Sequence, residues 1–301
     1  MARLLDLLAW TPSLWVCLGV VAGVLALAAR AWWQAHFELP PQTRPGLLFG
    51  YYGVVPGQTV RVKGHTNLVW RLSNITPTDL AREAEQLPDA PIVLECDDAL
   101  ITGWDAGQRR TLSPRAEDRL RALFTELRTL GILARCRFLS VIDEPNAQLD
   151  TEGSLAEAVR ILRRVAAEFE ELAGFKLLCT YTYGNGGWWC LDLFDIVGVD
   201  RYAQGAGVLW WPWGEYAKLR RAMLSHQQSV LYPGAAYGQD PWPFIAWAQH
   251  DARVAMVVPF LFFDAADIKP DGAGLSIRST EEQQRYRDAG HYLLNKPGED
   301  A

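Results

Sequence analysis

Two adjacent carboxylates, Asp143 and Glu144, follow the apolar, β-prone run Phe138-Leu-Ser-Val-Ile142, and Pro145 stops that run from continuing. A strand that ends this way delivers acid groups to the rim of a sheet, where a ligand can meet them. Other strand-like runs end in similar groups. One delivers Glu95, Cys96, Asp97 and Asp98, and another Asp200, Arg201 and Tyr202. The rest end in Tyr51-Tyr52, in Trp70 and Arg71, in Tyr181, Tyr183 and Asn185, in Tyr232, and in Phe262, Phe263 and Asp264. Carboxylates set among aromatic faces suit the cleavage of a glycosidic bond. One acid holds its proton to assist the leaving oxygen, a second stays ionised as nucleophile or base, and aromatic rings stack on the sugar.

Strict alternation along the fourth strand puts Glu144 on the face of Ser140 and Ile142, and leaves Asp143 facing the other way in a capping or supporting role. The same rule puts Asp200 on the face of Gly198 and Ile196. Glu144 is therefore the expected proton donor, with Asp200 as first choice for the second carboxylate and Asp97 or Glu95 next. Substrate contacts are expected from Tyr51, Arg71, Glu95, Tyr181, Tyr183, Trp188, Tyr202 and Tyr232. The competing expectation for Glu144 is a structural ion pair with Arg71 or Arg201. Trp188-Trp189 and Trp210-Trp211-Pro-Trp213 fall in loops on the working side, as a cleft wall or sugar platform, whereas Trp242 and Trp247 read as helix packing.

Other chemistries lack their residues. The five histidines include no pair at H-x-H or H-x-x-x-H spacing, so no metal site is expected. There is no G-x-S-x-G elbow and no lysine at a strand end. Gly50-Tyr-Tyr-Gly53 is not a dinucleotide fingerprint, and Gly184-Asn-Gly-Gly187 enters no clear helix, so no cofactor is expected. A formal charge of −6 with scattered basic residues gives no footprint for nucleic acid. Cys96, Cys136 and Cys179 sit in strand-like runs as small buried thiols, and a Cys179–Cys190 bridge is open to an exported chain.

The elements that position these groups alternate. Strand-like runs at Leu47–Tyr51, Asn67–Leu72, Pro91–Cys96, Ala134–Ile142, Phe175–Tyr181, Ile196–Asp200, Ser229–Tyr232 and Val254–Phe263 are mostly continuous and apolar, as strands covered on both faces are. Helix starts fall between them at Thr76-Pro77, at Ser113-Pro114, at a Ser154/Glu157 capping box, near Trp213, at Asp240-Pro241 and at Thr280. The crossover over residues 52–66 shows no evident helix. Eight strands with intervening helices in about 250 residues match an α/β (β/α)8 TIM barrel, with an open doubly wound sheet as the alternative.

In front of this domain, residues 46–301, lie an apolar segment, 1–33, and a proline-marked tether, 34–45. No charge falls between Asp6 and Arg30, and Trp10 and Trp32-Trp33 flank the run, as in a bilayer-spanning helix. Ala26-Leu27-Ala28 offers the competing reading of a cleaved signal peptide. An uncleaved anchor places the body outside the cytoplasm.

The Asp143-Glu144-Pro145-Asn146 end of the fourth strand resembles the acid/base strand of (β/α)8 glycoside hydrolases. The sixth strand, Asp195-Ile-Val-Gly-Val-Asp200-Arg-Tyr202, is similar to the D-x-x-x-x-D-x-Y run of sugar-active barrels. The resemblance implies a TIM barrel acting on an oligo- or polysaccharide, with Glu144 as the acid/base. It covers Gly46 to Leu294 in rhythm but only two motifs in residues. Such barrels usually carry a glutamate nucleophile at the end of strand seven, where this chain reads Ser229-Val-Leu-Tyr-Pro-Gly-Ala-Ala236. The D-x-x-D-x-D-x-E pattern of chitinase-like barrels is missing too. The departure leaves open a non-catalytic saccharide-binding module, or a membrane-tethered scaffold for a protein partner.

Overall fold

The structure, a computed structural model, describes residues 12–37, 39, 43–72, 75–102, 110–183, 187–201, 214–262 and 274–294. The chain divides into two units, Met1–Pro40 and Pro41–Ala301. The first contains helix α1, Pro12–Phe37. Its side chains are described over residues 19–31, all of them exposed. Among the described residues no helix is long and apolar enough to cross a membrane.

The second unit is an α/β fold, TIM-barrel-like, built on eight parallel strands. In chain order these are β1 (Leu48–Phe49), β2 (Val69–Arg71), β3 (Ile92–Glu95), β4 (Phe138–Asp143), β5 (Lys176–Thr182), β6 (Ile196–Asp200), β7 (Gln228–Leu231) and β8 (Val254–Val257). Strands neighbouring in sequence pair from β2 through to β8, and β8 then pairs with β1. The sheet curls until its two edges meet. Asn67 N donates to Phe49 O at 2.9 Å, and Gly50 lies so near Leu68 that a Cβ there would stand 2.7 Å from its carbonyl oxygen. Only glycine allows that approach.

The intervening helices are α2 (Pro77–Glu85), α3 (Ala116–Thr129), α4 (Glu152–Ala166), α5 (Glu215–Ala222), α6 (Trp242–His250) and α7 (Thr280–Leu293). Two starts differ from the sequence expectation. The cap of α4 is Thr151, whose side chain accepts from Ser154 N at 3.1 Å, so Ser154 lies inside the helix. At α3, Ser113 Oγ accepts from Arg115 N at 3.2 Å, a local turn that delays the helix to Ala116. The capping box belongs instead to α7, between Ser279 and Glu282. The first crossover, expected to lack a helix, holds one turn at Thr59–Val62.

Apolar residues of the strands and inward helix faces fill the core. Leu120, Phe124 and Leu127 of α3 are fully buried, as are Leu155, Ala158, Leu162 and Val165 of α4. Each buried Leu or Phe of this kind contributes about 1.5–3 kcal/mol. Trp247 on α6 packs edge-on to Tyr216 at 5.4 Å, and Trp242 meets Tyr292 at 6.0 Å. Cys96, Cys136, Cys179 and Cys190 are all free thiols, so the Cys179–Cys190 bridge does not form.

Candidate active site

The end of β4 departs from strict alternation. Ser140 lies opposite Leu178 on β5, but Asp143 lies opposite Thr180, so three steps along β4 match two along β5. Partners across a parallel pair share a face, and this bulge therefore turns Asp143 onto the face of Ser140. Sequence parity, which sent Asp143 to the other side, fails here for that reason. Glu144 follows with φ 44° and ψ 53°, in the left-handed region that side chains rarely adopt, and Pro145 opens a one-turn helix. A conformation of this kind costs roughly 1–3 kcal/mol and persists where surrounding structure imposes it.

The same face collects the other acids. Glu95 is in register with Ser140, and Asp200 with Thr182, two residues beyond Thr180. Asp97 is buried in the first turn after β3. The proximity shows in the protonation of Asp143. Its carboxyl is pushed well above the ordinary 3.8, first by burial, then by the charges of Glu95, Glu144, Asp200 and Asp97. Part of Asp143 still reaches solvent. Protein packed round its carboxyl nonetheless makes desolvation the largest cause, because burial disfavours the charged form.

Aromatic residues wall this group. Trp70 Nε1 donates to Glu95 Oε1 at 2.8 Å, and the Tyr52 hydroxyl hydrogen-bonds the same carboxylate. Tyr52 stands 5.4 Å from the Trp70 ring and 5.3 Å from Phe260. Tyr232, following β7, reaches across the interior to within 6.0 Å of Trp70, and its hydroxyl is 2.6 Å from Thr180 Oγ1. Gly198 makes the room: a Cβ there would lie 2.6 Å from the Tyr232 ring. Burial, with the acids adding to it, raises the Tyr52 and Tyr232 phenols, so both remain protonated donors. Two buried cations face the group, Arg110 acting on Asp97, Asp98 and Asp143, and Arg71 on Glu95, Asp98 and Asp97, and burial lowers the pKa of each.

Of the residues singled out from sequence, the structure brings together Glu144, Asp200, Asp97, Glu95 and Tyr232. Glu144 is half-buried and, among the described residues, makes no ion pair. Arg201 pairs instead with Glu215 at 3.0 Å, and Arg71 is buried with donors on Ile75 O and Glu95 O. Tyr51 points away from the acids, its hydroxyl donating to Tyr286 O at 3.3 Å. Tyr181 donates to Trp189 O at 2.6 Å and packs edge-on to Trp188 at 5.5 Å, beside Phe194. Tyr183 is exposed, with the Arg201 guanidinium 3.7 Å above its ring. Tyr202, Asn185, Phe263, Asp264 and the tryptophans at 210, 211 and 213 lie outside the described residues.

Asp143, Tyr52, Trp70, Thr180 and Phe260 are the additions. For Asp143 the available signal was its adjacency to Glu144 before a proline, since a bulge in that turn exchanges the two. Among the described residues no group of three His, Cys, Asp or Glu could hold a metal ion. Chemically, the arrangement offers a carboxyl that holds its proton beside carboxylates fixed by donors, under aromatic rings.

No protein-family model matches the chain, and no curated protein does. Its fold is similar to that of fungal β-1,4-galactanases (TM-score 0.56, 11% identity, covering 80% of this chain and 99% of that one). It is also similar to a GH30 endoxylanase from Clostridium papyrosolvens C71 (TM-score 0.50, 10% identity, 84% and 73% covered). The solved structures it resembles are mostly glycoside hydrolases, at 10–13% identity. The likeness speaks to the fold, because one barrel hosts many chemistries.

Proposed function

We propose that this chain is a glycoside hydrolase of carboxylate acid–base type acting on an oligo- or polysaccharide. Asp143 donates the proton to the leaving oxygen, with Glu144 beside it at the rim. Glu95, Asp97 or Asp200 supplies the charge that attacks the anomeric carbon or activates water. Tyr52, Trp70 and Tyr232 frame the sugar. The observation that carries this reading is the convergence of Glu95, Asp97, Glu144 and Asp200 on a carboxyl packed round by protein, which raises the Asp143 pKa above its ordinary value, the direction a general acid needs.

The test is to incubate the purified full-length chain with a polysaccharide panel and measure reducing ends, alongside Asp143→Asn and Glu144→Gln. Turnover that is lost in Asp143→Asn supports the assignment, and turnover unchanged in that variant removes Asp143 from the chemistry. One observation favours a second reading, saccharide binding without cleavage: the exit of β7 offers Tyr232, bonded to Thr180, where the glycoside-hydrolase barrels that the fourth strand resembles usually carry a glutamate. Tryptophan fluorescence that changes with saccharide while no reducing ends form would select it.

The segment ahead of the barrel fits a membrane anchor with the barrel outside the cytoplasm. Support comes from the uncharged run between Asp6 and Arg30 and the exposure of Val20, Leu25 and Leu27 on α1. Release of the chain from membranes by carbonate or high salt would refute the anchor.

A further inference from the structure

Tyr51 and Tyr52 stand back to back, and the side of Tyr51 opens on a different environment. While Tyr52 meets the acids, Tyr51 walls a recess together with Phe262 and Leu275. The recess is open to solvent, and its polar lining is Arg61, His65, Gln283 and Arg287. None of these lining residues carries a carboxylate.

The acids on the neighbouring helix are engaged elsewhere. On α7, Glu282 pairs with Arg278 at 2.6 Å, Glu281 lies 3.9 Å from Arg285, and Asp288 accepts from Gln284 at 2.8 Å. Arg287 is left with two long contacts of 3.5 Å, to the side-chain oxygens of Gln283 and Gln284. Arg61 gives one N–H to Ser276 O at 3.0 Å and lies 5.5 Å from the Phe262 ring centroid. Among the described residues neither arginine has an ion pair. Arg220, by contrast, is matched to Asp251 at 2.7 Å, and Arg135 has four N–H···O contacts to the carbonyls of Ala84, Leu87 and Ala90.

A guanidinium presents five donors in a planar fork that matches the oxygens of phosphate, sulfate or carboxylate. Two such forks lining one recess, from exposed Arg61 and half-buried Arg287, favour an anion between them. We infer that this recess binds a small oxyanion, of the phosphate, sulfate or carboxylate class, through Arg61 and Arg287. It adjoins the acidic mouth through the backbone: Phe262 N donates to Tyr52 O at 2.9 Å. The site is nevertheless separate from it and does not depend on the hydrolytic function.

The experiment is an unfolding-midpoint titration of the full chain with sodium phosphate, against sodium chloride at matched ionic strength. Sulfate and acetate arms then define the oxyanion class. Phosphate should raise the midpoint saturably and chloride should not. Arg287→Gln and Arg61→Gln should each weaken the apparent affinity at least tenfold, while Arg82→Gln, on exposed α2, leaves it unchanged. The Arg61 residue is exposed, so its variant folds even where Arg287→Gln does not. Absence of a saturable phosphate effect in the wild type, or the same effect retained in Arg61→Gln and Arg287→Gln, overturns the site.

Discussion

Replacing Asp143 by asparagine should stabilise the protein at neutral pH, by an amount that depends on pH in a defined way. In the unfolded chain an aspartate titrates near 3.8, whereas in the fold burial and the four carboxylates hold the Asp143 proton to higher pH. Below 3.8 both states carry the proton and Asp143 imposes no penalty. As pH rises above 3.8 the unfolded state sheds its proton and the folded state does not, so wild-type stability falls. The limiting slope for one proton is about 1.4 kcal/mol per pH unit, and the loss levels off above the folded pKa. Asparagine keeps the shape and hydrogen-bonding capacity of a protonated carboxyl but has nothing to titrate. The difference in unfolding free energy, variant minus wild type, should therefore climb from pH 4 upward and reach a plateau. Urea denaturation at unit pH steps from 4 to 8 measures it, and no substrate is needed. Under the hydrolase reading, turnover moves the opposite way, falling roughly 10²–10⁴-fold with the loss of a general acid. A free-energy difference that is flat across this range, or that shrinks with rising pH, would show Asp143 ionised and refute the account of the site.

Gly198→Ala drives a Cβ to 2.6 Å from Tyr232 and from Val230, so it should destabilise by about 1–3 kcal/mol in urea denaturation; a neutral result would mean that Tyr232 does not fill that space. Trp70→Phe keeps an aromatic ring but removes the donor to Glu95, and should cost about 1.5–3 kcal/mol in urea denaturation at pH 7; an unchanged stability would mean that this hydrogen bond is not made. Thr151→Ala should lose about 1 kcal/mol of stability as the cap of α4, more than Ser154→Ala; the reverse order would restore the start read from sequence.

The rhythm of the fold was legible because it depends on the hydrophobic effect summed over long runs. Eight apolar stretches became eight parallel strands, and Thr76-Pro77 and Asp240-Pro241 marked helix starts within two residues. What was not legible depended on single residues. Ser154 and Glu157 satisfy the pattern of a capping box, but Thr151 three residues earlier can cap as well, and local sequence does not rank the two. Tyr51 and Tyr52 are adjacent and chemically equal, and their roles follow from which side of the sheet each meets. The face taken by Asp143 has the same origin: a bulge shifts parity by one, and nothing in Phe138–Asp143 announces it.

Under the hydrolase reading, the way the protein distributes charge around the acidic mouth has a use. Around the barrel, acids are neutralised directly: Glu215 by Arg201 and Lys218, Asp251 by Arg220, Glu282 by Arg278, Glu168 by Arg121. At the mouth two buried arginines serve several acids at once: Arg71, which also holds the carbonyls of Ile75 and Glu95, faces Glu95, Asp97 and Asp98, and Arg110 faces Asp97, Asp98 and Asp143. Asp143 thus remains under net repulsion, which lowers the stability of the fold and would be relieved by one well-placed lysine or by asparagine. Acids whose pKa is raised by burial and by like charges cluster at functional sites. The left-handed turn at Glu144 adds a second local cost at the same strand end. Two destabilising features thus fall on consecutive residues at the strand end where the proposed hydrolase would act, and both should ease together in an Asp143→Asn, Glu144→Gly variant measured by urea denaturation at pH 7.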